Sequence, residues 1–120
     1  MPKVAPILYH GTTVENAGEL LRNGWKPNNA CVGANNGRPE YLYLSTNPVD
    51  AEFYGYMNDE HRAVVLKVTD VPLAALAVDP QDSQRSTVEQ ELADAANFPG
   101  RVVLTAPISA SHFSLRDDRG

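Results

Sequence analysis

The sequence contains very little cysteine. Cys31 is the only one among 120 residues, which excludes an internal disulfide and a zinc cluster built from several thiolates. A reducing compartment is the simplest setting for such a chain, so we predict a cytoplasmic location. The three histidines are widely spaced and have no close carboxylate pairing. They form no metal-ligand motif, and no metal is expected.

Long apolar segments and clusters of basic residues are also missing. The longest uncharged apolar run, Leu73 to Val78, is far too short to cross a bilayer. The segment from Met1 to Val4 does not resemble the start of a signal peptide, and no membrane partner is expected. Fifteen acidic and ten basic side chains give a net charge of −5, and no three basic residues are consecutive. This balance argues against long-range attraction to nucleic acid.

Two short motifs stand out from this plain composition. His10-Gly11-Thr12 follows the apolar run Ile7 to Tyr9, which predicts a histidine at a strand-to-helix turn. Tyr43 lies in the strand-like run Leu42 to Ser45, which ends at a second polar turn. If the two strand ends are neighbours, they form a cleft with an imidazole, a phenol ring and helix-start amides. Such a cleft suits a nucleotide that carries a flat aromatic group.

The remaining patterns predict one domain over residues 1–120. We expect an α+β fold with a small, split, mainly antiparallel sheet and short helices at its edges. The run from Lys26 to Pro39 is predicted to be a long loop. Helix starts are predicted at Thr12, at Asn47 and at Thr87. The first helix is predicted to stop at Gly24, with Trp25 packed on the core, and Val49 is predicted on the buried side of the second helix. The predicted strands are Val4 to Tyr9, Tyr41 to Ser45, Ala63 to Val68 and Val102 to Thr105.

These motifs, in this order, resemble the ADP-ribosyltransferases of the His-Tyr-acid type. That group includes poly(ADP-ribose) polymerases, diphtheria-type toxins and rifamycin ADP-ribosyltransferases. The family's His-Gly-Thr element matches His10-Gly11-Thr12, and its central tyrosine matches Tyr43. The polymerase branch has a second tyrosine eleven residues further on, where this chain has Tyr54. The resemblance covers most of the chain.

The acidic element of the family has more than one candidate here. In the rifamycin-modifying branch it is an aspartate in an Asp-Pro step, and Asp79-Pro80 matches it thirty-six residues after Tyr43. In the polymerase branch it is a glutamate at the start of a later strand. Pro99, Gly100 and Arg101 occupy that place, so the chain departs from that pattern. Glu91 and Glu89 are the nearest glutamates.

The resemblance implies that NAD is the co-substrate and that nicotinamide is released. A carboxylate near the ribose would offset the positive charge that develops at the anomeric carbon. Asp79 is the first candidate for this role and Glu91 the second. The acceptor is undefined and could be a protein, a nucleic acid or a small molecule. Small free-standing members of this group resemble bacterial or phage toxins and effectors, or antibiotic-modifying enzymes.

The resemblance also implies a role for each residue near NAD. His10 would bind the ribose hydroxyls of the adenosine half, and the backbone of Gly11 would approach the nicotinamide amide. Tyr43 would stack on the nicotinamide ring. The remaining candidates are Tyr54 on the other face of the ring, Ser45 at the amide, and the helix start after Thr12 at the diphosphate.

Other interpretations remain open at this point. His10 could be a satisfied turn residue, Tyr43 a core aromatic and Asp79 part of an ordinary turn. For Glu91, an exposed helix carboxylate is the favoured interpretation. RNA 2′-phosphotransferase, which also uses NAD on a related fold, is the second functional hypothesis, with Arg38, Arg62 and Arg85 as remnants of its basic residues. A module that binds NAD or ADP-ribose without turnover and a purely structural or immunity protein are the others.

Overall fold

The computed structural model of the protein describes residues 4–26, 42–52, 64–78, 87–93 and 100–115. Within these ranges one sheet of six strands contains antiparallel pairs throughout. The strands are β1 (Leu8–Thr12), β2 (Leu42–Ser45), β3 (Val64–Val68), β4 (Leu76–Val78), β5 (Arg101–Leu104) and β6 (Phe113–Leu115). They lie side by side in the order β4-β5-β2-β1-β3-β6.

The described helices are few and short. They are α1 (Val14–Asn23), a helical stretch over residues 48–52 that we call α2, and α3 (Val88–Ala93), with 3-10 turns at Leu73–Ala75 and Ala110–His112. This architecture confirms the predicted α+β class and the antiparallel sheet, but the described strands form one continuous sheet and not the split sheet that was predicted. None of the helices in the described ranges is long and apolar enough to cross a membrane.

Pairing within the sheet is uneven around its centre. β1 pairs with β3 at five consecutive positions, from Leu8 opposite Val68 to Thr12 opposite Val64. Between β1 and β2, the described residues are paired at one position, Tyr9 opposite Ser45. The two central strands are therefore neighbours with a short ladder between them, which leaves space for side chains at their junction.

Alternation along the strands gives the sheet two different faces. We call one the core face, because Leu8, Leu42, Leu66 and Leu104 lie on it, are inaccessible to solvent and pack in the main hydrophobic cluster. The other is the recess face, and it carries Tyr9, Gly11, Tyr43, Ser45, Val103 and Arg101. The distinction between these faces decides where each candidate residue can act.

The start of α1 differs by one residue from the prediction. The pattern placed the capping hydroxyl at Thr12, but Thr13 is the cap and its side chain accepts a hydrogen bond from Asn16 N at 3.2 Å. Thr12 cannot serve because it is the last residue of β1 and pairs with Val64. The helix ends as predicted, at Gly24.

The C-terminal end of α1 is hydrogen-bonded to a distant part of the chain. Trp25 N donates to Ile108 O and Ile108 N donates to Trp25 O, both at 2.9 Å. Both side chains belong to the hydrophobic cluster, which confirms that Trp25 packs on the core. Gly24 has φ +73°, and a Cβ there would lie 2.4 Å from Ile108 O. Only glycine fits this close approach.

The other predicted helix caps are confirmed. Asn47 Oδ1 accepts hydrogen bonds from Val49 N and Asp50 N at the start of α2. Thr87 and Gln90 form a reciprocal capping box at α3, with side-chain to backbone distances of 3.1 and 3.2 Å. The expectation that Val49 lies on the buried side of its helix is wrong, because Val49 is 67% exposed.

Candidate functional site

His10 lies inside a strand rather than at a turn. β1 continues through His10 to Thr12 because its ladder with β3 continues, with His10 opposite Leu66. The imidazole is buried, and its Nδ1 atom lies 2.8 Å from the backbone oxygen of Tyr43 on β2. The side chain thus spans the junction of β1 and β2, where backbone pairing is sparse.

This hydrogen bond fixes the chemical state of the ring. A carbonyl oxygen only accepts, so Nδ1 carries the hydrogen and Nε2 of the neutral ring is an acceptor. Burial lowers the pKa of His10 to about 4, partly opposed by the hydrogen bond to Tyr43 O. At neutral pH the imidazole is uncharged. Its Nε2 atom is buried and has no hydrogen-bond partner among the described residues.

A small recess opens on the other face of the same two strands. It encloses about 230 Å³ of empty space, open solvent included. Three residues that the sequence assigned to the nicotinamide end of NAD come together here, namely Gly11, Tyr43 and Ser45. The complete lining among the described residues is Tyr9, Gly11, Tyr43, Leu44, Ser45, Ala51 and Arg101.

His10 is not part of this lining. Tyr9 pairs with Ser45, so by alternation Tyr43 shares their face, whereas His10 projects from the core face. The two predicted rings are on adjacent strands, but they do not line one common cleft in this structure. Thr12 is likewise buried on the core face, next to α1, and is not a recess residue.

Ser45 offers a hydroxyl with a defined orientation. It is only 2% exposed and its Oγ accepts a hydrogen bond from Asn47 N at 3.1 Å. Because that bond uses an acceptor site, the hydroxyl hydrogen is the part left for donation to another oxygen. A carbonyl or amide oxygen in the recess is a suitable acceptor.

Arg101 is a recess residue that the sequence reasoning did not select. It is the first residue of β5 and lies opposite Ser45. Its guanidinium contacts Asp50 of α2 twice, Nε to Oδ2 at 3.2 Å and Nη2 to Oδ1 at 2.9 Å. The sequence did contain a signal for this position. An arginine between Gly100 and an apolar run is expected at the start of a strand.

Glu91 departs from the favoured interpretation of an exposed helix carboxylate. It is 5% exposed, and its Oε1 accepts a hydrogen bond from Arg101 N at 2.9 Å. The α3 helix packs against β4 and β5, which brings this carboxylate to the start of β5. Glu89 is exposed on the same helix. Of these two glutamates, Glu91 is the one near the recess, because it accepts a hydrogen bond from the backbone of the recess residue Arg101.

Several predicted residues lie outside the described ranges. These include the first carboxylate candidate, Asp79, the second tyrosine, Tyr54, the long loop from Lys26 to Pro39 beyond its first residue, and the three arginines considered for an RNA substrate, Arg38, Arg62 and Arg85. Their assigned roles remain predictions. Across the described ranges, no group of three or more histidine, cysteine or acidic side chains is placed to hold a metal ion.

A second, more open depression lies at the end of α1. It contains about 1000 Å³ of empty space, open solvent included, and is lined by Asn23, Gly24, Trp25, Lys26, Pro107, Ile108 and Ser109. None of the predicted site residues is among them. For that reason we attach less functional weight to it than to the smaller recess.

Comparison of the chain with protein-family models gave no match, and comparison with curated proteins gave none either. The function must therefore be argued from the site itself.

Proposed function

We propose that the protein is an NAD-dependent ADP-ribosyltransferase with an ADP-ribosyltransferase-like fold, and that the recess between β1, β2 and β5 receives the nicotinamide end of NAD. One observation supports this more than any other. Gly11, Tyr43 and Ser45, which were assigned to the nicotinamide end on sequence resemblance, line the same small recess from two strands.

Each of these three residues supplies a contact that a planar aromatic amide requires. Tyr43 provides an aromatic surface for the ring. Gly11 lets the ligand approach its backbone N–H and C=O, since no side chain intervenes. The Ser45 hydroxyl, oriented by Asn47 N, donates to the amide oxygen.

His10 has a positioning role in the proposal. Its Nδ1–H holds the carbonyl of Tyr43 and so positions β2. The ribose contact that the resemblance implied for His10 is not part of the proposal, because the imidazole is buried on the core face and does not line the recess.

The reaction needs a carboxylate near the ribose. The bond between the anomeric carbon and the nicotinamide nitrogen breaks, nicotinamide leaves with the electron pair, and an acceptor oxygen or nitrogen forms the new bond and loses a proton. Asp79 remains the proposed carboxylate. Asp50 and Glu91 fit less well because both are already engaged, Asp50 by the guanidinium of Arg101 and Glu91 by its backbone N–H.

The test is incubation with NAD labelled in the adenosine half, together with a lysate and a direct assay of nicotinamide release. His10→Leu removes the donor to Tyr43 O, so we expect reduced labelling, whereas His10→Asn keeps a donor and should retain more of it. His112→Leu is the matched control, because His112 Nδ1 makes an equivalent 2.8 Å contact with Thr69 O and does not line the recess. Equal labelling by His10→Leu and the wild type would refute the positioning role.

The tyrosine assignment is tested in the same assay. We expect Tyr43→Phe to retain most of the labelling, because it keeps the aromatic surface, and Tyr43→Leu to lose it. If both variants label NAD acceptors as well as the wild type does, stacking on Tyr43 is not part of the mechanism.

A module that binds NAD or ADP-ribose without turnover is the second candidate. The engagement of both Asp50 and Glu91 with Arg101 favours it, because neither carboxylate of the described site is then available as a base. This alternative gives NAD binding with no nicotinamide release, and Asp79→Ala leaves that binding unchanged. Nicotinamide release that Asp79→Ala abolishes would rule it out.

A further inference from the structure

One row of directly paired residues crosses the recess face of the sheet from β5 to β6. In order across the strands, the row consists of Arg101, Ser45, Tyr9, Lys67 and Ser114. The first three of these residues line the recess. Because residues paired directly across strands share one face, Lys67 of β3 is the immediate neighbour of Tyr9, just beyond the recess.

The two cationic side chains of this row differ in their partners. Asp50 holds the guanidinium of Arg101 at 2.9 and 3.2 Å, so the charge of that arginine is already matched. The side chain of Lys67 makes no hydrogen bond or ion pair with any described residue. Among the described strand residues of the recess face, the unmatched positive charge is therefore the ammonium group of Lys67.

The position of Lys67 suits a ligand that extends out of the recess. Neighbouring strands lie about 4.8 Å apart, so the backbone of Lys67 is roughly 10 Å from that of Ser45, two strands away. Lys67 is partly buried, and its apolar stem can lie along the sheet while the ammonium group stays in water. That group has three N–H donors and is a common partner of phosphate.

The start of α1, which the resemblance assigned to the diphosphate, is less suitable for an anion. The Thr13 side chain already caps this helix by accepting a hydrogen bond from Asn16 N. Glu15 adds a negative charge to the first turn, where it opposes the attraction of the helix dipole for a second anion. The whole chain carries a net charge of −5, so binding of an anion requires a local cation.

From this register we infer that Lys67 binds the phosphate group of NAD nearest the nicotinamide, with the ligand extending from the recess across Tyr9. Lys67 is then the residue that selects phosphorylated ligands over unphosphorylated ones. The inference rests on the proposed function for the identity of the ligand.

The test compares two probes that differ by a single phosphate, nicotinamide mononucleotide and nicotinamide riboside, by calorimetry on the full chain. We expect the wild type to bind the mononucleotide about tenfold more tightly or better, the usual effect of a charged hydrogen bond. Lys67→Gln should lose most of this preference without weaker binding of the riboside, whereas Lys67→Arg should retain most of it. Lys26→Gln is the matched control, because Lys26 is exposed and lines the other depression.

Salt provides a second measurement on the same proteins. Raising the salt concentration should reduce the preference of the wild type for the mononucleotide, since salt screens a charge contact near the surface. In Lys67→Gln the remaining preference should change little with salt. A salt dependence that is equal in both proteins would contradict a phosphate contact by Lys67.

The outcomes separate this inference from the proposed function. If the wild type binds NAD and releases nicotinamide but does not prefer the mononucleotide, or if Lys67→Gln keeps the full preference, the assignment of Lys67 is overturned and the proposed function stands. Equal loss of both probes in Lys67→Gln also overturns the assignment. If Lys67→Gln loses the preference but the wild type releases no nicotinamide, the phosphate site stands and the transferase activity is refuted. A wild type that binds neither NAD nor the two probes refutes both.

Discussion

The core face of the sheet carries Leu8, Leu66 and Leu104, all inaccessible to solvent, whereas the recess face carries Tyr43, Ser45 and Arg101 beside a small recess. The same strands supply both sets of residues. Apolar burial dominates on the first face, and directed polar contacts are added to it on the second. We therefore expect changes on the core face to reduce the free energy of unfolding, and changes to the polar groups beside the recess to reduce ligand binding at a smaller cost in stability.

The largest expected effect on the free energy of unfolding is at Gly24, where the end of α1 meets the backbone of Ile108. Gly24→Ala should lower the free energy of unfolding by about 3 kcal/mol, because a side chain there combines a strained backbone with overlap on Ile108 O. Urea denaturation measures it. Gly18→Ala is the matched control, since its Cβ would lie 3.5 Å from a flexible arginine tip. It should be neutral or stabilise α1 by roughly 0.5–1 kcal/mol.

Next in size is the pH dependence that His10 gives to stability. Its folded pKa is about 4, below the ordinary 6.5, so the unfolded chain takes up a proton at a higher pH than the folded one. The stability conferred by the neutral ring is present above pH 6.5 and is lost as the pH falls toward 4. Between pH 7.5 and 4.5 the wild type should lose about 2 kcal/mol more than His10→Asn. Equal losses in both proteins would show that His10 titrates normally.

An effect of similar size is expected from Glu91 at the edge of the recess. Glu91→Ala leaves the N–H of Arg101 without its carboxylate and should cost about 2 kcal/mol. Glu91→Gln keeps an oxygen at the same place and should cost less than about 1 kcal/mol. Glu89→Ala is the control, since Glu89 is exposed. Thermal unfolding compares the three, and an equal cost for Gln and Ala would exclude the hydrogen bond to Arg101 as the cause.

The smallest effect on folding is expected at the Asp50–Arg101 pair beside the recess. Asp50→Asn removes one charge of a pair whose arginine is 35% exposed, and solvent screens such pairs, so the cost should stay below about 1 kcal/mol. A cost as large as that of Gly24→Ala would contradict the division between the two faces. The measurement is urea denaturation at low and high salt, where the difference from wild type should shrink as salt rises.

Local patterns in the sequence predicted most helix ends and three of the strands, whereas the first strand, predicted over Val4 to Tyr9, lies at Leu8–Thr12. The caps at Asn47 and Thr87, the stop at Gly24 and the strand cores around Tyr43 and Val65 depend on residues within a few positions of each other. Thr12 was misassigned as a helix cap for the opposite reason. Thr12 is a strand residue because it pairs with Val64, which is 52 residues away in the sequence. No neighbouring residue in the sequence indicates that pairing.

Part of the candidate site was predictable in the same way. Gly11, Tyr43 and Ser45 were selected together and line one recess. Arg101 was missed because its significance comes from Asp50 and Glu91, which reach it from two different helices. Glu91 was judged exposed because the helical pattern of the sequence does not show that α3 packs its carboxylate against the start of β5.

By itself the sequence determined the α+β class, the antiparallel sheet and the positions of most helix ends, since these follow from apolar periodicity and from hydrogen bonds between near neighbours. Only the tertiary structure decided that His10 lies at the junction of two strands, neutral and facing the core, while Tyr43 faces the recess beside Arg101. The physical reason is register: which residues stand opposite each other across the sheet assigns every side chain to one face or the other, and that pairing joins residues far apart in the chain.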